Sequence, residues 1–61
     1  MTFLELDIGD YFIKWDEIDG CYFMYRKKSE YDAQYVDKEL NSVDWGIFVF
    51  GSDYIVYKVI V

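Results

Sequence analysis

Histidine and proline are absent from this sequence, cysteine occurs once, and the four glycines are scattered at 9, 20, 46 and 51. Each shortage removes a class of chemistry. Without histidine there is no side chain whose ordinary pKa lies near neutral pH, and no Ser-His or Cys-His pair for nucleophilic catalysis. With one thiol, Cys21, an intramolecular disulfide cannot form and a structural zinc site lacks its ligands. Isolated glycines leave no glycine-rich loop to cradle a phosphate. The residues nearest Cys21 in sequence are acidic, so nothing there lowers its thiol pKa, and it reads as a small buried hydrophobe. The chain has no apolar run approaching the roughly 20 residues that cross a bilayer, and its first residues carry no signal-type segment. Together with the lone thiol this points to the cytoplasm and away from a membrane. The expectation is a non-enzymatic protein with no cofactor and no metal.

What is present is aromatic and acidic. The 61 residues allow one domain, spanning 1–61, and a domain of that size buries only about 60% of the surface its unfolded chain exposes. Seven Tyr, five Phe and two Trp make up 23% of the chain, and with disulfides and metals excluded these large rings must supply the core. Twelve acidic residues against six basic ones give a net charge of −6. Such a field repels nucleic acid and anionic membranes, favours a protein partner with a basic surface, and also serves solubility.

Strand signals dominate the chain. Phe3, Leu4 and Leu6 open an apolar stretch that reads as a first strand. Asp7-Ile8-Gly9-Asp10 supplies turn chemistry before the β-prone run Tyr11-Phe12-Ile13. Asp16 to Gly20 is a second turn, followed by Cys21 to Lys27, whose large apolar residues suit a central strand partly covered on both sides. The segment Ser29 to Asn41 supports two readings. At period two, Tyr31 to Val36 is a strand. At period 3.6, Ser29 is an N-cap, Ala33, Val36 and Leu40 share a face, and Lys38 and Asn41 close a short helix over about 30–40. Val43 to Phe50 reads as a strand interrupted at Gly46 by a bulge or by the close approach of another backbone. Gly51-Ser52-Asp53 then predicts a hairpin to the run Tyr54 to Val61.

The expected fold is mostly β, a small barrel or strongly bent antiparallel sheet of five to six short strands, with α+β as the alternative. The motif Leu6-Asp7-Ile8-Gly9-Asp10-Tyr11-Phe12-Ile13 resembles the lead-in to the first long strand of small SH3-like and KOW-like barrels. That resemblance implies a closed barrel and says nothing about function, because such barrels host many unrelated activities.

Three groups of residues stand out as candidate contacts. Asp16, Glu17 and Asp19 form an acidic turn suited to a basic partner, their spacing being unlike that of a calcium-binding loop. Arg26-Lys27-Lys28 follows Tyr22 and Tyr25; with Trp45, these rings and cations could stack a base-like ring and hold a phosphate. Tyr54, Val56, Lys58 and Ile60 lie on a nearly uncharged terminal run that invites edge pairing in a homodimer. The leading expectation is a protein–protein interaction module. In size, charge and lack of catalytic residues it resembles phage-encoded inhibitors such as anti-CRISPR and DNA-mimic proteins. A nucleotide-like ligand binder and an accessory subunit of a larger complex are the alternatives.

Overall fold

The computed structural model describes residues 1–37 and 39–60, with residues 42–45 described through their backbone. Lys38 and Val61, which the helical reading and the terminal run respectively include, lie outside the described residues, as does the side chain of Trp45. Five strands form one antiparallel sheet: β1 (Tyr11–Asp16), β2 (Cys21–Lys27), β3 (Asp32–Val36), β4 (Ser42–Val49) and β5 (Tyr57–Val59). Their order is β4-β3-β2-β1-β5, so β2 is central as its sequence implies. The sheet does not close into a barrel, because β4 and β5 occupy its opposite edges. It is strongly bent all the same. The three principal extents, 24 × 23 × 22 Å, are nearly equal, and a flat sheet would be much thinner in one direction.

Local chemistry explains each connection. In the β1–β2 turn, Asp16 Oδ1 accepts from the N–H groups of Ile18 (2.9 Å) and Asp19 (3.2 Å), and Gly20 takes a φ of +66°. Ser29 does not cap a helix. Its hydroxyl donates to Asp32 Oδ1 at 2.7 Å, and the N–H groups of Lys28 and Ser29 donate to the Asp32 carbonyl, which folds β2 tightly onto β3. Beyond β3, Asp37 Oδ1 accepts from the N–H groups of Glu39 and Asn41, making a turn where the helical alternative requires continuation. The only helix among the described residues is a 3-10 turn, Phe3–Glu5, in place of the expected first strand. Glu5 fastens it by accepting from the Thr2 N–H and hydroxyl, and the backbone bond holds the Glu5 carboxyl below its ordinary pKa.

The predicted hairpin through Gly51–Asp53 is half right. The turn exists, with the Tyr54 N–H donating to the Gly51 carbonyl at 3.1 Å, but its flanks do not pair. β4 pairs with β3, and β5 crosses to the far edge and pairs with β1. The buried Phe50 ring turns the chain inward. Residues 52–56 then bond to the N-terminal segment through Phe3 N–H to Tyr54 O, Leu4 N–H to Ser52 O and Val56 N–H to Met1 O. Between Gln34 and Val36 the β3–β4 register shifts: the partners move from Ile47 to Ser42, an irregularity that spans the expected bulge at Gly46.

Register divides the sheet into two faces. Phe12, Lys14 and Asp16 of β1 lie opposite Tyr25, Phe23 and Cys21 of β2 on the inner face, while Tyr11, Ile13 and Trp15 lie opposite Arg26, Met24 and Tyr22 on the outer one. Phe3, Leu6, Phe12, Tyr25, Ala33, Phe50 and Val56 form the inner core. Phe3 stacks on Phe50 at 5.1 Å and meets Phe12 edge-on at 5.6 Å. Cys21, expected in the interior, is exposed, because β2 begins beyond the rim of this core.

Lys27 binds the N-terminal turn to the sheet. Its side chain is 3% exposed, and Nζ donates to the carbonyls of Phe3 (2.8 Å) and Leu6 (2.7 Å) while lying 4.6 Å from the centre of the Phe3 ring. Lys27→Met keeps the aliphatic stem but strands two carbonyls, so it is expected to lower the unfolding free energy by about 2–4 kcal/mol. Urea denaturation should show this as a lowered midpoint, with Lys28→Met at the exposed neighbour changing stability by less than about 0.5 kcal/mol.

Candidate functional site

The core covers only part of the inner face. Where the N-terminal turn and the 50–56 crossover stop, the face opens into a groove of about 470 Å³. Lys14 and Asp16 of β1, Phe23 and Tyr25 of β2, Tyr35 of β3, Phe48 and Val49 of β4, and Phe50 and Tyr54 line it. Tyr25 and Phe50 are buried at its floor, and Phe48 and Tyr54 are half-exposed at its rim. The rings brace one another edge-to-face, with Tyr25–Phe48 at 5.7 Å, Tyr25–Tyr35 at 6.0 Å and Phe50–Tyr54 at 5.7 Å. The Lys14 ammonium lies over the Tyr54 ring, 5.1 Å from its centre. Interaction with the Tyr54 side chain as a hydrogen-bonding partner raises the Lys14 pKa, and burial raises that of Tyr25.

The outer face carries a second aromatic feature. Trp15 and Tyr22 are cross-strand partners with centroids 5.0 Å apart, and Tyr22 meets Tyr57 of β5 at 6.1 Å. The three side chains are 46%, 50% and 51% exposed, an unusual burden for one strip of so small a surface. At its end is the β1–β2 turn, where Ile18 is 95% exposed and Glu17 and Asp19 face solvent.

The sequence-derived groups are distributed by these faces. Asp16, Glu17 and Asp19 do share one turn, with Asp16 also at the groove end. The aromatic–basic cluster is split by the alternation of β2: Tyr25 and Lys27 point inward, Tyr22 and Arg26 outward, and Lys28 follows the strand. Lys27 is committed to the carbonyls of the N-terminal turn, and Arg26 lies over the Tyr11 ring with Nε donating to Gly9 O. These residues do not converge on one ligand. Of the terminal group, Val56 is fully buried, Tyr54 is at the groove, Lys58 pairs with Asp10 at 3.5 Å, and Ile60 is exposed beyond β5. β5 is an edge strand, as self-pairing requires, but a short one with a lysine at its middle.

Sequence reasoning missed Lys14, Trp15, Phe23, Tyr35, Phe48 and Tyr57. The signal was available in the alternation of β1, which separates Phe12-Lys14-Asp16 from Tyr11-Ile13-Trp15 two residues at a time. Among the described residues no group of three acidic, cysteine or histidine side chains is placed to hold a metal ion. No protein-family model, curated protein or solved structure matches the chain.

Lys14 and Tyr25 make the groove sensitive to alkali. Both pKa values are raised, so the folded state binds these protons more tightly. Their stabilising contribution is complete below the ordinary values of 10.5 and 10.0, and is lost as pH rises through the folded ones. Thermal melts should therefore show a steady midpoint up to about pH 10 and a decline above it, shallower in Tyr25→Phe.

Proposed function

We propose that this protein is a non-enzymatic interaction module that docks its hairpin end onto a cationic surface of a partner protein. The observation that carries this reading is the outer strip of Trp15, Tyr22 and Tyr57, half exposed and continuous with a turn bearing Glu17 and Asp19. Trp and Tyr are the side chains most often found at the centre of protein interfaces, and their ring faces attract arginine and lysine. Arg26, the one cation that the described register places on this face, lies four residues away along the strands, occupied with Tyr11 and Gly9. Acidic rims disfavour a second copy, a phosphate backbone or an anionic membrane at this surface. The net charge of −6 steers the module toward a basic site, and occupying that site would block it, as an inhibitor does. The Gly9–Asp10 lead-in and the bent sheet support reading the fold as an opened relative of SH3-like barrels.

The test is a titration of isotope-labelled protein with a tetra-arginine peptide and, separately, a tetra-glutamate peptide, followed by NMR. Shifts should concentrate at the Trp15 indole N–H, Glu17, Asp19 and Tyr22 with the arginine peptide alone. The joint variant Trp15→Ala/Tyr22→Ala should weaken its binding about tenfold. Shifts confined to Tyr35 and Phe48, or an equal response to both peptides, would overturn the proposal.

A further inference from the structure

The groove lies on the opposite face of the sheet from the hairpin-end strip, and we infer that it is a separate binding site for a small organic anion with an apolar, ring-sized body. Its volume of about 470 Å³ falls in the range of small-ligand sites, and six of its nine lining side chains are aromatic while only two are charged. Those two are not equivalent. Asp16 is already engaged, its Oδ1 accepting from the N–H groups of Ile18 and Asp19 in the turn. Lys14 forms no ion pair: the one ion pair among the described residues joins Lys58 to Asp10, and the Lys14 ammonium rests on Tyr54 while Asp16 acts on it only from a distance.

A cation held against a ring at the rim of an apolar groove, with no carboxylate within ion-pair distance, retains donors for an anion. An apolar body seated over Tyr25 and Phe50 displaces water from the groove, which strengthens the contact between Lys14 and a carboxylate, sulfonate or phosphate on that body. A wholly apolar ligand leaves the lysine unpaired, and a cationic one meets it head-on. The ligand class follows from that asymmetry. The repulsive net charge of the protein slows the approach of such an anion without removing the local attraction.

Two dyes of the same body test this. 8-Anilinonaphthalene-1-sulfonate carries the anion and N-phenyl-1-naphthylamine lacks it, and fluorescence titration reads both affinities. The sulfonate is expected to bind the native protein about tenfold more tightly than the neutral dye. Lys14→Met should abolish that preference while leaving the neutral dye bound, and Lys28→Met, with the same change of net charge, should preserve it. Phe48→Ala should weaken both dyes and Tyr22→Ala, on the other face, neither. Failure of the native protein to bind the sulfonate, an unchanged preference in Lys14→Met, or loss of binding in Tyr22→Ala instead of Phe48→Ala would each overturn the inference. Peptide docking at Trp15 and Tyr22 is read separately, by the arginine-peptide titration.

Discussion

A buried ammonium fastens the N-terminal turn to the middle of the sheet. Lys27 reaches from the end of the central strand to the carbonyls of Phe3 and Leu6, and its position under the Phe3 ring fixes where that ring enters the core. A five-stranded sheet that leaves its edges apart needs something laid over its inner face, and with one cysteine and no long helix among the described residues neither a disulfide nor a helix does it. The cover consists of the 3-10 turn and the crossover 50–56, bonded to each other through their backbones. Removing a lysine from water is costly, and two carbonyls and a ring face offset that cost only while the turn stays in place. Phe3, stacked on Phe50 and edge-on to Phe12, follows from the same placement.

The cover is too small for the face it covers, and the binding surfaces follow from that mismatch. One end of the inner face is sealed by Phe3, Leu6, Phe50 and Val56, while the other is left as a groove walled by rings with Lys14 at its rim. On the outer face nothing among the described residues covers the Trp15–Tyr22–Tyr57 strip, and its strand neighbours Ile13 and Met24 are themselves only half-buried. The same rings that fill the core of so short a chain also furnish its contacts. In the proposed reading, a cationic protein surface meets the outer strip and a small organic anion meets the inner groove, with the sheet between them.

Much of this was legible in the residues, and the failures have physical causes. The apolar run Cys21–Lys27 reads as the central strand, and is; the alternation of Ala33 and Tyr35 outweighs the apparent cap at Ser29, whose hydroxyl serves a turn instead. Gly51–Asp53 has the chemistry of a hairpin turn, but local chemistry does not specify what its flanks pair with. Phe50 still donates its N–H to the Tyr31 carbonyl, but its ring packs on Phe3 and Tyr25 in the core, and beyond it the chain leaves β4 for the crossover. Arg26-Lys27-Lys28 looks like one basic cluster only if strand parity is ignored. With parity applied, Lys27 falls on the core side, yet its bonds to Phe3 and Leu6, 24 and 21 residues away, are a tertiary outcome. Cys21 shows the opposite error: a thiol with nothing nearby to activate it reads as a small buried hydrophobe, and a place at the hairpin rim leaves it exposed.

The latch is most directly examined through the Lys27 side chain itself in a proton NMR spectrum. If the ammonium is held under the Phe3 ring, the Lys27 ε-methylene protons are displaced upfield by the ring current and show nuclear Overhauser contacts to Phe3, whereas those of exposed Lys28 lie where a solvated lysine's do. Coincident Lys27 and Lys28 signals without contacts to Phe3 would contradict the account, because the turn that closes the core would then have no hold on the sheet.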